Sequence, residues 1–109
     1  MDETQDKRRE MFATLHKKRE AFLDYNRALD ELCEAHNAYK EANTTSKAAH
    51  KAAEALGEAL ENGELEKTGI TSSGTRFSPQ FEAACDNADV EFARSRVLRR
   101  RREAAVQAL

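Results

Sequence analysis

Apolar residues between positions 11 and 60 recur three and four apart. Met11, Leu15, Phe22, Tyr25, Leu29, Leu32, Tyr39, Ala53 and Leu60 fall on one side of a helix. Written as a heptad, Leu15, Phe22 and Leu29 occupy a, while Met11, Tyr25, Leu32, Tyr39, Ala53 and Leu60 occupy d. No proline interrupts the run, and Gly57 is its only glycine. The pattern predicts a helix over about residues 3–62, roughly 90 Å long at the helical rise. Asp2, Glu3 and Asp6 place negative charge at the positive end of the dipole, and Thr4 is a candidate N-cap. Asn62-Gly63 is the expected stop, because both residues tolerate the left-handed conformation that ends helices.

The weak point is Asn43-Thr44-Thr45-Ser46, four residues that prefer caps and turns to helix interiors. The heptad keeps phase through them, with Asn43 at a and Ser46 at d, so the expectation is a continuous helix. A break there would instead fold the first helix back into a three-helix monomer. Beyond it, Ala48, Ala49, Ala52, Ala53, Ala55 and Ala59 make a face that a neighbouring helix can approach closely. Residues 63–77 read as a flexible loop, with Gly63, Gly69 and Gly74 set among Thr and Ser. Ser78-Pro79 announces a second helix over about 78–109, roughly 47 Å long. One stripe on it is Phe81, Cys85, Ala88 and Phe92; a weaker one on the opposite side is Ala83, Val90, Val97 and Ala104.

Two helices of such unequal length leave a remainder. In an antiparallel hairpin Phe81 lies near Leu60 and Leu109 near Leu32, so about 40 Å of the first helix overhangs. That overhang holds the large apolar residues Met11, Phe12, Leu15, Phe22, Leu23, Tyr25 and Leu29. Burying such side chains stabilises by roughly 1.5–3 kcal/mol each, so leaving seven in water forgoes an amount comparable to a domain's net stability. A second copy is the simplest cover, since a two-fold interface lets one patch serve both sides. The expected architecture is therefore all-α, a single domain of a long helix, a loop and a shorter helix, dimerising into a helical bundle. The interface residues are Met11, Phe12, Leu15, Phe22, Tyr25, Leu29 and Leu32. The other use of the stripe is as a site kept for a different protein.

Composition fits this picture. The 109 residues are 39% hydrophobic and 35% charged, with no Trp and a net charge of −2. That is too much charge for a compact globule and too balanced for an acidic disordered tail. It suits helices with solvated flanks. No apolar run is long enough to span a membrane, and the charged start Met1–Asp6 does not read as a secretory signal. The expected compartment is the cytoplasm, with Cys33 and Cys85 reduced.

Candidate chemistry is sparse. His36 and His50 sit at a, about 21 Å apart along one helix, too far to share a metal within a chain. An antiparallel partner centred near Asn43 would bring His36 opposite the other copy's His50, but tolerated polar layers explain both residues more simply. There is no Cys-x-x-Cys, no Gly-x-Ser-x-Gly elbow and no isolated carboxylate pair, so neither a metal, a cofactor nor an enzymatic activity is expected. Thr68–Thr75 has the small residues of an anion-binding turn but lacks the Gly-Lys-Ser/Thr ending of a P-loop. The densest feature is Arg94, Arg96, Arg99, Arg100, Arg101 and Arg102. Arg99 and Arg102 are expected to continue the seam, and the cluster to fall near Glu31, Glu34 and Glu41. It can form ion pairs within or between chains, contact a protein partner, or neutralise phosphates. No aromatic residues alternate with the arginines to stack on bases. Small secreted hairpins that carry a Trp-x-Gly turn are near this chain in size, but no family is recognised. The chain has no Trp, so that motif is missing and the likeness in size implies no function. The expected function is non-enzymatic binding of a partner protein, as adaptor, chaperone or inhibitor. The alternative is nucleic-acid binding through Arg94–Arg102.

Overall fold

A computed structural model describes residues 2–109; Met1 lies outside the described residues. Two helices account for most of the chain: α1, Asp2–Glu61, and α2, Pro79–Gln107. They pack against each other as a hairpin 94 Å long and 25 Å wide. The radius of gyration is 27.1 Å, where a compact domain of this length has about 13 Å. The all-α hairpin is therefore the observed fold.

α1 runs unbroken through residues 43–46. Thr44 and Thr45 do not cap anything. Their hydroxyls bond back to the carbonyl oxygens of Lys40 and Glu41, both at 3.0 Å, which satisfies them inside a helix. The three-helix alternative is thereby excluded. The helix begins at Asp2, so Thr4 lies within its first turns and is not the N-cap. The far end closes as expected. Gly63 adopts φ +74, Gly63 N–H donates to the Leu60 carbonyl and Glu64 N–H to the Ala59 carbonyl. This is the paired-bond helix stop for which glycine is favoured.

α2 starts on Ser78, which is buried, and whose side chain accepts from Phe81 N–H at 3.2 Å with Pro79 at the first helical position. Four contacts set the antiparallel register. Gly57 faces the Phe81 ring. His50 meets Phe92 edge-on at 6.1 Å between ring centroids. The Arg102 guanidinium lies 4.4 Å over the Tyr39 ring. Arg101 bonds Glu31. Phe81 thus sits beside the last turns of α1, and α2 covers α1 only from about residue 28 onward.

The seam between the helices differs in phase from the pattern of large apolar residues. On α1 the shielded positions include Leu32, Ala35, Tyr39, Ala42, Ser46, Ala49, Ala53, Leu56 and Leu60. On α2 they include Phe81, Ala84, Ala88, Glu91, Ser95, Leu98, Arg102 and Ala105, with Cys85 beside them. Both sets keep the three-four heptad spacing. The d positions are those expected, but the second row is Ala35, Ala42 and Ala49, one residue before His36, Asn43 and His50. Ala35 is 0% exposed and Ala42 3%. Small side chains at these points let the helix backbones approach closely, and His36 and His50 turn out to solvent. Phe92 and the second α2 stripe, Val90 and Val97, are exposed too.

The connection is not featureless. Gly69–Ile70 (β1) and Arg76–Phe77 (β2) form a two-stranded antiparallel ladder pairing Gly69 with Phe77 and Ile70 with Arg76. The Phe77 ring lies over Gly69 so closely that a Cβ there would come within 2.5 Å of it. At the tip, Gly74 takes φ +85 and its N–H donates to the Thr71 carbonyl, the geometry of a short hairpin turn closed by a left-handed glycine.

Candidate functional site

The overhang is a bare helix. Every residue from Asp2 to Tyr25 is exposed. Met11, Phe12, Leu15 and Phe22 are between 60% and 71% exposed, and Leu23 and Tyr25 are also open. Leu29 and Leu32 are half-buried, where the overhang meets the end of α2. The seven residues expected as an interface therefore lie along one side of the helix, with only the last two partly covered within the chain. Lys18 occupies the d position between Met11 and Tyr25, so a cation sits in the middle of the stripe.

Where α2 ends, the stripe opens into a groove of about 690 Å³. Its α1 wall is Leu32, Cys33, His36 and Asn37; its α2 wall is Arg102, Glu103, Val106 and Gln107. Sequence reasoning did not identify this groove. The signal for it was the register, which brings Val106, in the last turn of α2, level with Leu32.

The six arginines do not act as one surface. Arg101 spans the hairpin to Glu31 with two bonds, 2.8 and 3.2 Å, and approaches Glu34 at 3.8 Å. This contact lowers the Glu31 pKa below the usual carboxylate value, through the hydrogen bond first and opposed by desolvation. Arg102 lies over Tyr39 and Arg96 over Phe92 at 5.9 Å. Arg99 is exposed and pairs with Glu103 at 3.2 Å, so only Arg102 continues the seam. Among the described residues Arg94 and Arg100 have neither an acidic nor an aromatic partner. Of the acidic partners expected, Glu31 and Glu34 are engaged, and Glu41 accepts no arginine.

The remaining candidates carry less. His16 is exposed and pairs with Glu20 at 3.0 Å. His50 Nδ1 lies 3.0 Å from the Ser46 carbonyl. Cys33 and Cys85 are free. Desolvation at the seam, with Glu82, Asp89 and Asp86 around it, pushes the Cys85 thiol above its ordinary pKa and away from the reactive thiolate. In the connecting turn, the Thr71 and Ser73 hydroxyls bond each other and Thr75 N–H donates to Thr71 Oγ1, so these groups are engaged with one another. Among the described residues no cluster of His, Cys, Asp and Glu could hold a metal, and no helix is long and apolar enough to cross a membrane. The chain matches no family model, and no curated protein or solved structure is significantly similar to it.

Proposed function

We propose that the protein is a non-enzymatic helical interaction module, an adaptor, chaperone or inhibitor that works by binding another polypeptide through the overhang of α1. One observation carries this reading: a stripe of large apolar side chains lies open on a helix that no other described residue covers. The surface area supports it. The chain exposes 8940 Å², where a compact monomer of its mass exposes about 6,100 Å². The excess is several times the ~800 Å² that each partner contributes to an ordinary interface. Isolated apolar residues on a surface need no explanation, but a contiguous stripe marks an interaction site. The reading sets the protein in the cytoplasm, where Cys33 and Cys85 stay reduced.

Nucleic-acid binding is the less supported use of the chain, because four of the six arginines are engaged within it. The test is a photo-reactive benzophenone side chain installed at Phe22, with Val90 as the exposed control on α2. Irradiation in cells should give a discrete adduct from position 22 and not from 90. Failure to form any adduct at position 22 would refute the overhang as a binding surface.

A further inference from the structure

We infer that the occupant of the α1 stripe is a second copy of this chain, antiparallel to the first about a two-fold axis beside Glu20, with its first two turns seated in the groove at the C-terminal end of α2. The inference rests on the overhang being a binding surface, and it names the partner.

The stripe is nearly its own mirror image about position 20. In an antiparallel pair built on a and d positions, residues whose numbers add to 40 come opposite each other. Met11 then meets the partner copy's position 29, a leucine, and Leu15 meets its position 25, a tyrosine. Phe22 meets position 18, where the lysine can lay its aliphatic stem and ammonium on the ring. A parallel pair would instead set Lys18 against its own copy inside the seam. The antiparallel register keeps Met11 and Leu15 on apolar partners and lays each Lys18 on a Phe22 ring instead of on the other copy's lysine.

The same register explains the groove. The entering helix runs in the direction of α2, and its Thr4 and Arg8 come level with His36 and Leu32, where the arginine can lay its aliphatic stem on the leucine. Its Asp2 and Asp6 come level with Arg102 and Val106 on the groove's other wall. The only acidic residue lining that wall, Glu103, is neutralised by Arg99. The Asp2 and Asp6 carboxylates of the entering helix therefore approach a wall on which Arg102 is the cation. From Phe22 the apolar stripe runs through Tyr25, Leu29 and Leu32 into this groove, and the exposed area far exceeds what a stable dimer needs.

The experiment combines mass and distance. Light scattering on the unmodified chain gives the stoichiometry without any substitution. A nitroxide is then placed at Lys40→Cys in a Cys33→Ser, Cys85→Ala background, just past the point where the partner helix ends. Pulsed EPR should read a distance near 60 Å between the two labels, twenty residues of helical rise on each side of the axis. A dimer with labels within about 30 Å would mean parallel packing of helices at ordinary spacing and would overturn the register. A monomer at all concentrations would overturn the second copy as occupant. In that case an adduct of Phe22 with a different protein keeps the overhang as a binding surface, and absence of any adduct removes both readings.

Discussion

Replacing Ala42 by leucine tests what holds the hairpin together. Ala42 is 3% exposed on the face of α1 that meets α2, with Ala35 and Ala49 one heptad to either side. α2 answers with Ala88, Ser95 and Ala105, all buried. Among the described residues no large side chain is fully buried, so close approach of small residues takes the place of an interdigitated core. Leucine adds three carbons directed at α2 where no room is left for them. Overpacking of this kind costs about 1–3 kcal/mol. For a chain of this size each kcal/mol moves Tm by roughly 4–8 °C, so a drop of roughly 5–20 °C follows. The assay is thermal unfolding by circular dichroism at fixed concentration, since association would shift Tm by mass action. Ala48→Leu is the control: it changes helix propensity equally but sits on the exposed face. If Ala42→Leu melts at or above the wild type while Ala48→Leu is neutral, the seam is not close-packed there and the account of the hairpin fails.

Leu15→Asp should weaken self-association without touching the hairpin, because Leu15 is exposed and far from α2. With two copies per dimer and roughly 1.5–3 kcal/mol lost from each, Kd should rise at least 100-fold by sedimentation, with helicity retained; an unchanged Kd would remove Leu15 from the interface. The Glu31–Arg101 contact should give a pH-dependent contribution. Glu31 is held below its ordinary value near 4.5 in the folded chain, so its stabilisation is present above that pH and is lost as pH falls through the folded-state pKa. The Tm difference between wild type and Glu31→Gln should therefore shrink in acid and in high salt, as for any exposed pair; a difference that grows in acid would contradict the assignment. Binding of duplex DNA through the arginine cluster should add no more than about −2 to the log–log salt slope, the limit for Arg94 and Arg100 alone, read as the difference from a variant with all six arginines replaced by glutamine. A difference near −5 would return the whole arginine cluster to nucleic-acid binding.

Much of the hairpin is legible in the sequence because its signals are local. Asn62-Gly63 and Ser78-Pro79 act through backbone geometry within a few residues, and an unbroken three-four spacing carries the helix across Asn43–Ser46. The phase of the seam is another matter. The strongest apolar residues at a are Leu15, Phe22 and Leu29; the first two lie on the uncovered overhang and the third only at its edge. The helix that is covered uses Ala35, Ala42 and Ala49, whose seven-residue spacing is weak in a hydrophobicity pattern because alanine is neither strongly apolar nor polar. On α2 Glu91, Ser95 and Arg102 hide the matching rows because polar residues at shielded positions break the apolar pattern. The ladder at Gly69–Phe77 escaped because two residues per strand leave no periodicity to detect. The groove at Leu32 and Val106 exists only once the two helices are in register, so no single stretch of sequence displays it.

The most direct test of the central claim is the absolute mass of the unmodified chain by light scattering across a series of concentrations. Cover by a second copy predicts a species at twice 12.3 kDa that dissociates only on dilution. A mass that stays at 12.3 kDa at every concentration would contradict it.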